Sequence, residues 1–185
     1  MTRDADKCSR CFGRGSSCLC AQVRPVATRT RIIVLRHSLE WSKQSNTARI
    51  AALALTNCEL RTWGGKDEAS RTDDLGAPGT WLLFPEGPPR PAGAPAPQRL
   101  VVLDGSWSQA RRMLHRVESL RGLPRLSLAA PAGRKSLRSA PPGGMSTLEA
   151  IARAVELLEG PEVAEPLDAL HRALVGRVLK SRGYL

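Results

Sequence analysis

The sequence predicts an α/β fold with a mainly parallel sheet, preceded by a small cysteine-rich knuckle. Three observations predict it. Short runs rich in Val, Ile, Leu and Trp recur at residues 32–35, 59–63, 81–84 and 99–103, and most of them stop at Gly, Pro or Asp. Such runs read as strands buried on both faces. Segments with helical spacing alternate with them, and that alternation is the mark of βα units. Four of the five cysteines crowd into residues 8–20.

The elements follow in order. Ile32–Leu35 is an apolar run ending in Arg36-His37, a first strand. Residues 42–55 have helical spacing, with Ile50, Leu53 and Ala54 on one side. Glu59–Trp63, closed by Gly64-Gly65, is a second strand, and the polar, acidic residues 66–79 form an exposed loop. Trp81–Phe84 is a third strand, stopped by Pro85. Residues 86–98 hold five prolines and two glycines, a semi-rigid connector. Arg99–Leu103 is a fourth strand, running into Asp104-Gly105-Ser106-Trp107. The next helix carries Ala110, Met113, Leu114, Val117 and Leu120 in an i, i+3, i+4, i+7 stripe, with Arg111, Arg112, His115 and Arg116 on the other side. Pro124–Leu128 is a short fifth strand, and 129–145 a Pro/Gly-rich loop with Arg134, Lys135 and Arg138. Helices over 146–159 and 166–182 complete the chain.

The knuckle reads Cys8-x-x-Cys11 and Cys18-x-Cys20, with Phe12-Gly13-Arg14-Gly15-Ser16-Ser17 between the pairs. Two close pairs can set four sulfurs tetrahedrally around Zn²⁺, and a closed four-thiolate site leaves no position for a reactive water. A structural zinc is expected. The chain is 185 residues long and carries a net charge of +11. The excess is patterned: residues 1–50 are +7, 51–87 are −3, 88–148 are +8 and 149–185 are −1. Twenty-three of the 28 cations are Arg, whose planar fork suits phosphate. A polyanion is the expected partner. No apolar run has the ~18 residues of a membrane span, and the charged amino terminus has no apolar signal segment. A cytoplasmic protein with no obligate protein partner is expected.

Ligands of parallel α/β sheets sit beyond the carboxyl ends of strands. There the sequence places Asp104, Ser106 and Trp107. A helix cap accounts for Ser106 equally well, but less well for Gly105 and Trp107. Arg36, His37 and Glu40 occupy the same position in the first βα unit, with Asn46, Thr47 and Arg49 on the helix after it. Gly143-Gly144-Met145-Ser146-Thr147-Leu148-Glu149 is a capping box with Ser146 as cap and Glu149 three residues on. A Gly-rich entry to a helix also suits an anion.

In combination these segments resemble one family. The cysteine knuckle, the R-H-x-x-E of Arg36–Glu40 with Asn46-Thr47-Ala48-Arg49, the LFPE of 83–86, the D-G-S-W of 104–107 and the STLEA of 146–150 resemble the DTW-domain family over residues 8–180. Ser106 stands where its D-x-T-W signature has Thr. The resemblance implies a tRNA-uridine aminocarboxypropyltransferase of the bacterial type. Such an enzyme moves the 3-amino-3-carboxypropyl group of S-adenosylmethionine to uridine N3 and releases methylthioadenosine. It implies a SPOUT-like fold with a C-terminal trefoil knot, so that 1–28 would be a zinc-bearing segment packed on a catalytic body of 29–185. Asp104, Ser106 and Trp107 would be catalytic. Arg36, His37, Glu40, Leu83, Phe84, Pro85, Arg138, Ser146 and Thr147 would bind S-adenosylmethionine. Asn46, Arg49, Arg111, Arg112, Arg116, Arg134 and Lys135 would hold RNA. A methyltransferase of the related knotted class and a non-catalytic zinc-bearing RNA-binding module are the competing readings.

Overall fold

In the computed structural model, residues 7–43, 45–65, 71–86, 93, 95–128 and 144–181 are described. Five strands form one parallel sheet: β1 (Arg31–His37), β2 (Cys58–Trp63), β3 (Thr80–Leu83), β4 (Arg99–Asp104) and β5 (Arg125–Leu126). Their order across the sheet is β2-β1-β4-β3-β5. Four helices accompany them: α1 (Thr47–Ala54), α2 (Trp107–Arg116), α3 (Thr147–Glu159) and α4 (Pro161–Ser181).

Side chains alternate across a strand, and here both sides are covered. Ile32, Val34, Leu100 and Val102 face a core shared with α1, α3 and α4. Ile33, Leu35, Val101 and Leu82 face a second core built with α2. This explains why six of the seven β1 residues are buried. The helix after β1 therefore lies on one face and the helix after β4 on the other. β1 and β4 are neighbours, with Arg36 opposite Asp104 in register. A crevice opens beyond their carboxyl ends, at the switch point where such sheets bind ligands.

The knuckle packs against the first core through Cys11 and Leu19, at 3% and 2% exposure. A parallel bridge between Val26 and Leu55 and a hydrogen bond from Arg177 to the Cys18 carbonyl fasten it further.

Several expectations are corrected. The helix expected from residue 42 starts at Thr47, because the Asn46 side chain caps it by accepting the Arg49 N–H at 2.9 Å. The loop 66–79 is not wholly exposed. Its described part contains a 3-10 turn, Asp73–Gly76, with Leu75 fully buried in the second core. Arg61 holds that turn through both oxygens of Asp74. The Arg-rich helix ends at Arg116, where Val117 turns extended, although Val117 and Leu120 are still buried. The last helix begins at Pro161 rather than Pro166. Gly160, at φ +108°, separates it from α3, and Pro161 then takes the first helical position, where a missing N–H costs nothing.

Candidate active site

Asp104 is the last residue of β4 and is 4% exposed. Its two oxygens are held separately. Asn46 Nδ2 donates to Oδ2 at 2.5 Å, and Thr147 Oγ1 donates to Oδ1 at 2.6 Å. Asn46 caps α1, and Thr147 opens α3 behind its cap Ser146. The Leu148 N–H donates to Thr47 Oγ1 at 3.3 Å, joining the two helix starts directly. Two positive helix ends thus converge on one carboxylate. Burial nevertheless pushes the Asp104 carboxyl above its ordinary value. The Thr147 and Asn46 hydrogen bonds pull it back, Glu40 pushes it further up, and Arg36 opposes that. A raised carboxylate with a fixed orientation is suited to taking a proton from a weak acid.

Next to Asp104 lies a cavity of about 580 Å³. Leu83, Phe84, Pro85 and Glu86 form one wall, Gly105, Trp107 and Arg111 another, and Met145, with Thr147 and Ala150 of α3, closes it. The size is ample for a nucleoside-sized ligand. Trp107 stands edge-on to Phe84, with ring centres 6.4 Å apart, so its indole is one side of the cavity rather than core. Arg111 pairs with Glu86 at 2.8 Å across the mouth; both are more than half exposed, so the contact is weak.

Ser106 is the cap of α2. Its Oγ accepts the Gln109 N–H, and Gln109 Oε1 accepts the Ser106 N–H at 2.6 Å. The reciprocal capping box expected at Ser146 and Glu149 is formed here instead. At Ser146 the Oγ accepts the Glu149 N–H, and the Glu149 carboxylate faces His171 at 3.8 Å. A Cβ on Gly105 would come within 2.9 Å of Gln109 Cβ, so the box fits closely only over glycine.

Arg36, His37 and Glu40 lie on the other side of Asp104 and do not line the cavity. All three are buried, at 2%, 6% and 1% exposure. Arg36 donates to Thr62 Oγ1 at 3.0 Å. His37 Nδ1 accepts the Leu39 N–H, and its ring meets Trp63 edge-on. Burial, followed by the charge of Arg112, lowers the His37 pKa below its ordinary value. Glu40 is held by Lys43 at 2.5 Å.

Asn46 and Arg49 are buried too, at 2% and 7% exposure, so neither presents a surface to an RNA backbone. The Arg49 guanidinium packs on the Phe12 ring at 3.3 Å and donates to the Trp41 carbonyl. Arg111, Arg112 and Arg116 are exposed on α2 as expected. Arg134, Lys135 and Arg138 lie outside the described residues.

The sulfurs of Cys8, Cys11, Cys18 and Cys20 all lie within 4.8 Å of one another. Backbone N–H groups of Cys11 and Arg10 and the Cys20 thiol draw the Cys8 thiol down to about 6. Burial and the neighbouring Cys8 and Cys11 thiols push Cys20 up to about 12. Four thiolates need a cation to coexist at this spacing, and the donor set fits a metal ion. The sequence reading missed Phe12. It adopts φ +61° within the knuckle, and no residue-type signal marks it. Gln109, three residues after Ser106, carried a capping-box signal that was legible.

The DTW domain family model matches residues 5–179. The chain belongs to the DTW domain family. Its relatives include a tRNA-uridine aminocarboxypropyltransferase 2 of Drosophila melanogaster, 28% identical, with the match covering 88% of this chain and 70% of the relative. A tRNA-uridine aminocarboxypropyltransferase A of Arabidopsis thaliana is 29% identical over 91% of this chain and 79% of the relative. No solved structure matches the chain. Among the described residues, no helix is long and apolar enough to cross a membrane.

Proposed function

We propose that this DTW-domain protein is a tRNA-uridine aminocarboxypropyltransferase. It moves the 3-amino-3-carboxypropyl group of S-adenosylmethionine to N3 of a tRNA uridine. The observation that carries the reading is Asp104, buried and oriented by two donors beside a nucleoside-sized cavity, in a family whose curated relatives bear that name.

Asp104 accepts the N3 proton of the uridine. The N3 electron pair forms a bond to the carbon beside the sulfonium, the carbon–sulfur bond breaks, and its electrons stay on sulfur in methylthioadenosine. The leaving group is already activated, so the protein's contribution beyond the proton is mainly orientation. Leu83–Glu86 and Trp107 wall the adenosine. Of the groups that could meet the amino acid carboxylate, the amino end of α3 faces the cavity through Met145 and Thr147, whereas Arg36 turns toward Thr62. Arg112 and Arg116 hold the tRNA backbone. The four cysteines bind a structural Zn²⁺ in a segment, residues 1–28, that packs on a catalytic body of 29–185 with a SPOUT-like, knotted path. The protein works in the cytoplasm.

The test is mass spectrometry of tRNA nucleosides after incubation with S-adenosylmethionine. The expected product is aminocarboxypropyluridine with an equal amount of methylthioadenosine. Release of S-adenosylhomocysteine would identify a methyltransferase instead. Binding of tRNA without either product would identify a binding module.

A further inference from the structure

The crevice side of Asp104 opposite the cavity carries two exposed apolar residues, Leu39 and Trp41, at 66% and 56% exposure. They belong to the short turn leaving the carboxyl end of β1, whose Ser38–Glu40 forms a 3-10 helix. Trp41 rests on several partners. The Arg36 guanidinium lies 4.6 Å from its ring centre and that of Arg49 5.6 Å. Its carbonyl accepts from Arg49, and its neighbour Glu40 is buried and paired with Lys43. The indole is thus braced by two cations and remains more than half open to solvent. Arg36 sits opposite Asp104 in the sheet, and Asn46, the cap from which Arg49 is held, donates to Asp104. Trp41 is therefore close to the carboxylate, on the side away from the cavity.

We propose that Trp41 is a stacking platform for an unpaired tRNA base flanking the reacting uridine. This rests on the function proposed above. A rigid aromatic face is how proteins hold splayed RNA bases, because every base has a π-face to stack on. The setting selects a nucleic acid over a protein partner. Residues 1–50 carry +7, and Lys43, close to Trp41 in the chain, is half exposed, so a phosphodiester is drawn toward the same place as the base.

The test compares the wild type with Trp41→Ala and Trp41→Phe in binding an unmodified tRNA transcript over a salt series. Trp41→Ala weakens binding about tenfold, the ordinary loss for one stacked base. Trp41→Phe recovers most of that, and the affinity for S-adenosylmethionine and the melting temperature stay unchanged. The slope of log affinity against log salt also stays unchanged, because stacking displaces no counterions. Equal binding by Trp41→Ala and the wild type overturns the proposal, as does a shallower slope, which would mean a lost phosphate contact. A change in self-association with no change in tRNA binding overturns it in favour of a protein contact. A wild type that binds no tRNA defeats the functional reading and this one together. A wild type that binds and modifies tRNA while Trp41→Ala binds equally defeats this one alone.

Discussion

Replacing Asp104 by Asn separates chemistry from architecture. Asn has nearly the same shape, and its amide can be turned to keep both neighbours: its oxygen accepts from Asn46, and its nitrogen donates to the Thr147 hydroxyl in place of the contacts now at 2.5 and 2.6 Å. Each bond falls from a charge-assisted to a neutral one, a loss of about 1 kcal/mol apiece. The relief of burying a charge offsets part of that, so the melting temperature should move by less than about 5 °C. The proposed proton acceptor is gone, however. General-base catalysis contributes ~10²–10⁴ in rate, so the barrier rises by ~2.7–5.4 kcal/mol. The assay is single-turnover methylthioadenosine release at saturating tRNA and S-adenosylmethionine, with tRNA binding measured alongside. On the proposed mechanism only the ionised carboxylate is active in the wild type, so the rate should fall as pH drops through the folded-state pKa of Asp104. Burial raises that pKa, so the acid limb lies above the ordinary aspartate range, and the Asn variant lacks it. Transfer within tenfold of the wild type at unchanged stability would refute the reasoning and leave Asp104 as a strut between two helix ends.

Three further outcomes follow from the site. Cys11→Ser, at a position only 3% exposed, should drop the zinc content well below the one equivalent per chain expected of the wild type. It should also remove the loss of melting temperature that a chelator causes in the wild type; retention of full zinc would break the four-cysteine assignment. Changing Arg112 and Arg116 to Glu should weaken tRNA binding and flatten its log–log salt slope by about 1–2, with no effect on S-adenosylmethionine affinity by calorimetry. Ala150→Phe puts an aromatic ring into the cavity wall. It should abolish S-adenosylmethionine binding while leaving tRNA binding intact, and unimpaired S-adenosylmethionine binding would place that ligand elsewhere.

Much of this was legible in residue order. Among the described residues, each of the five strands and four helices overlaps a segment that alternation of apolar runs and helical spacing marks, although three helix ends moved, because a sheet buried on both faces leaves a strong one-dimensional trace. Single residues that act through a distant partner leave none. Leu75 is one apolar side chain in a polar stretch, and its burial depends on Arg61 holding Asp74. Pro166 looks like a helix start because proline favours first turns, yet Gly160 had already reset the backbone before Pro161. At the site, the motifs marked Asp104, Trp107 and Thr147 as candidates. They did not show that Arg36, His37, Glu40, Asn46 and Arg49 turn inward. A charged or polar side chain at a helix start is ordinarily solvated, and here partners far off in sequence, among them Asp104, Thr62 and the rings of Phe12 and Trp63, give these groups an interior to occupy.

The contacts around Asp104 also set an order of events in the life of the chain. Asn46 is 58 residues before it, Thr147 is 43 residues after it, and the Thr47–Leu148 bond spans 101. A ribosome that has released the protein as far as β5 has made every strand of the sheet. The carboxylate still lacks half its donors, and the cavity lacks its α3 wall. Competence therefore arrives only once residues 145–150 have been made, after the slow closure of a long loop. A nascent chain that stops short of α3 can expose its basic surface to a polyanion before the site around Asp104 is complete.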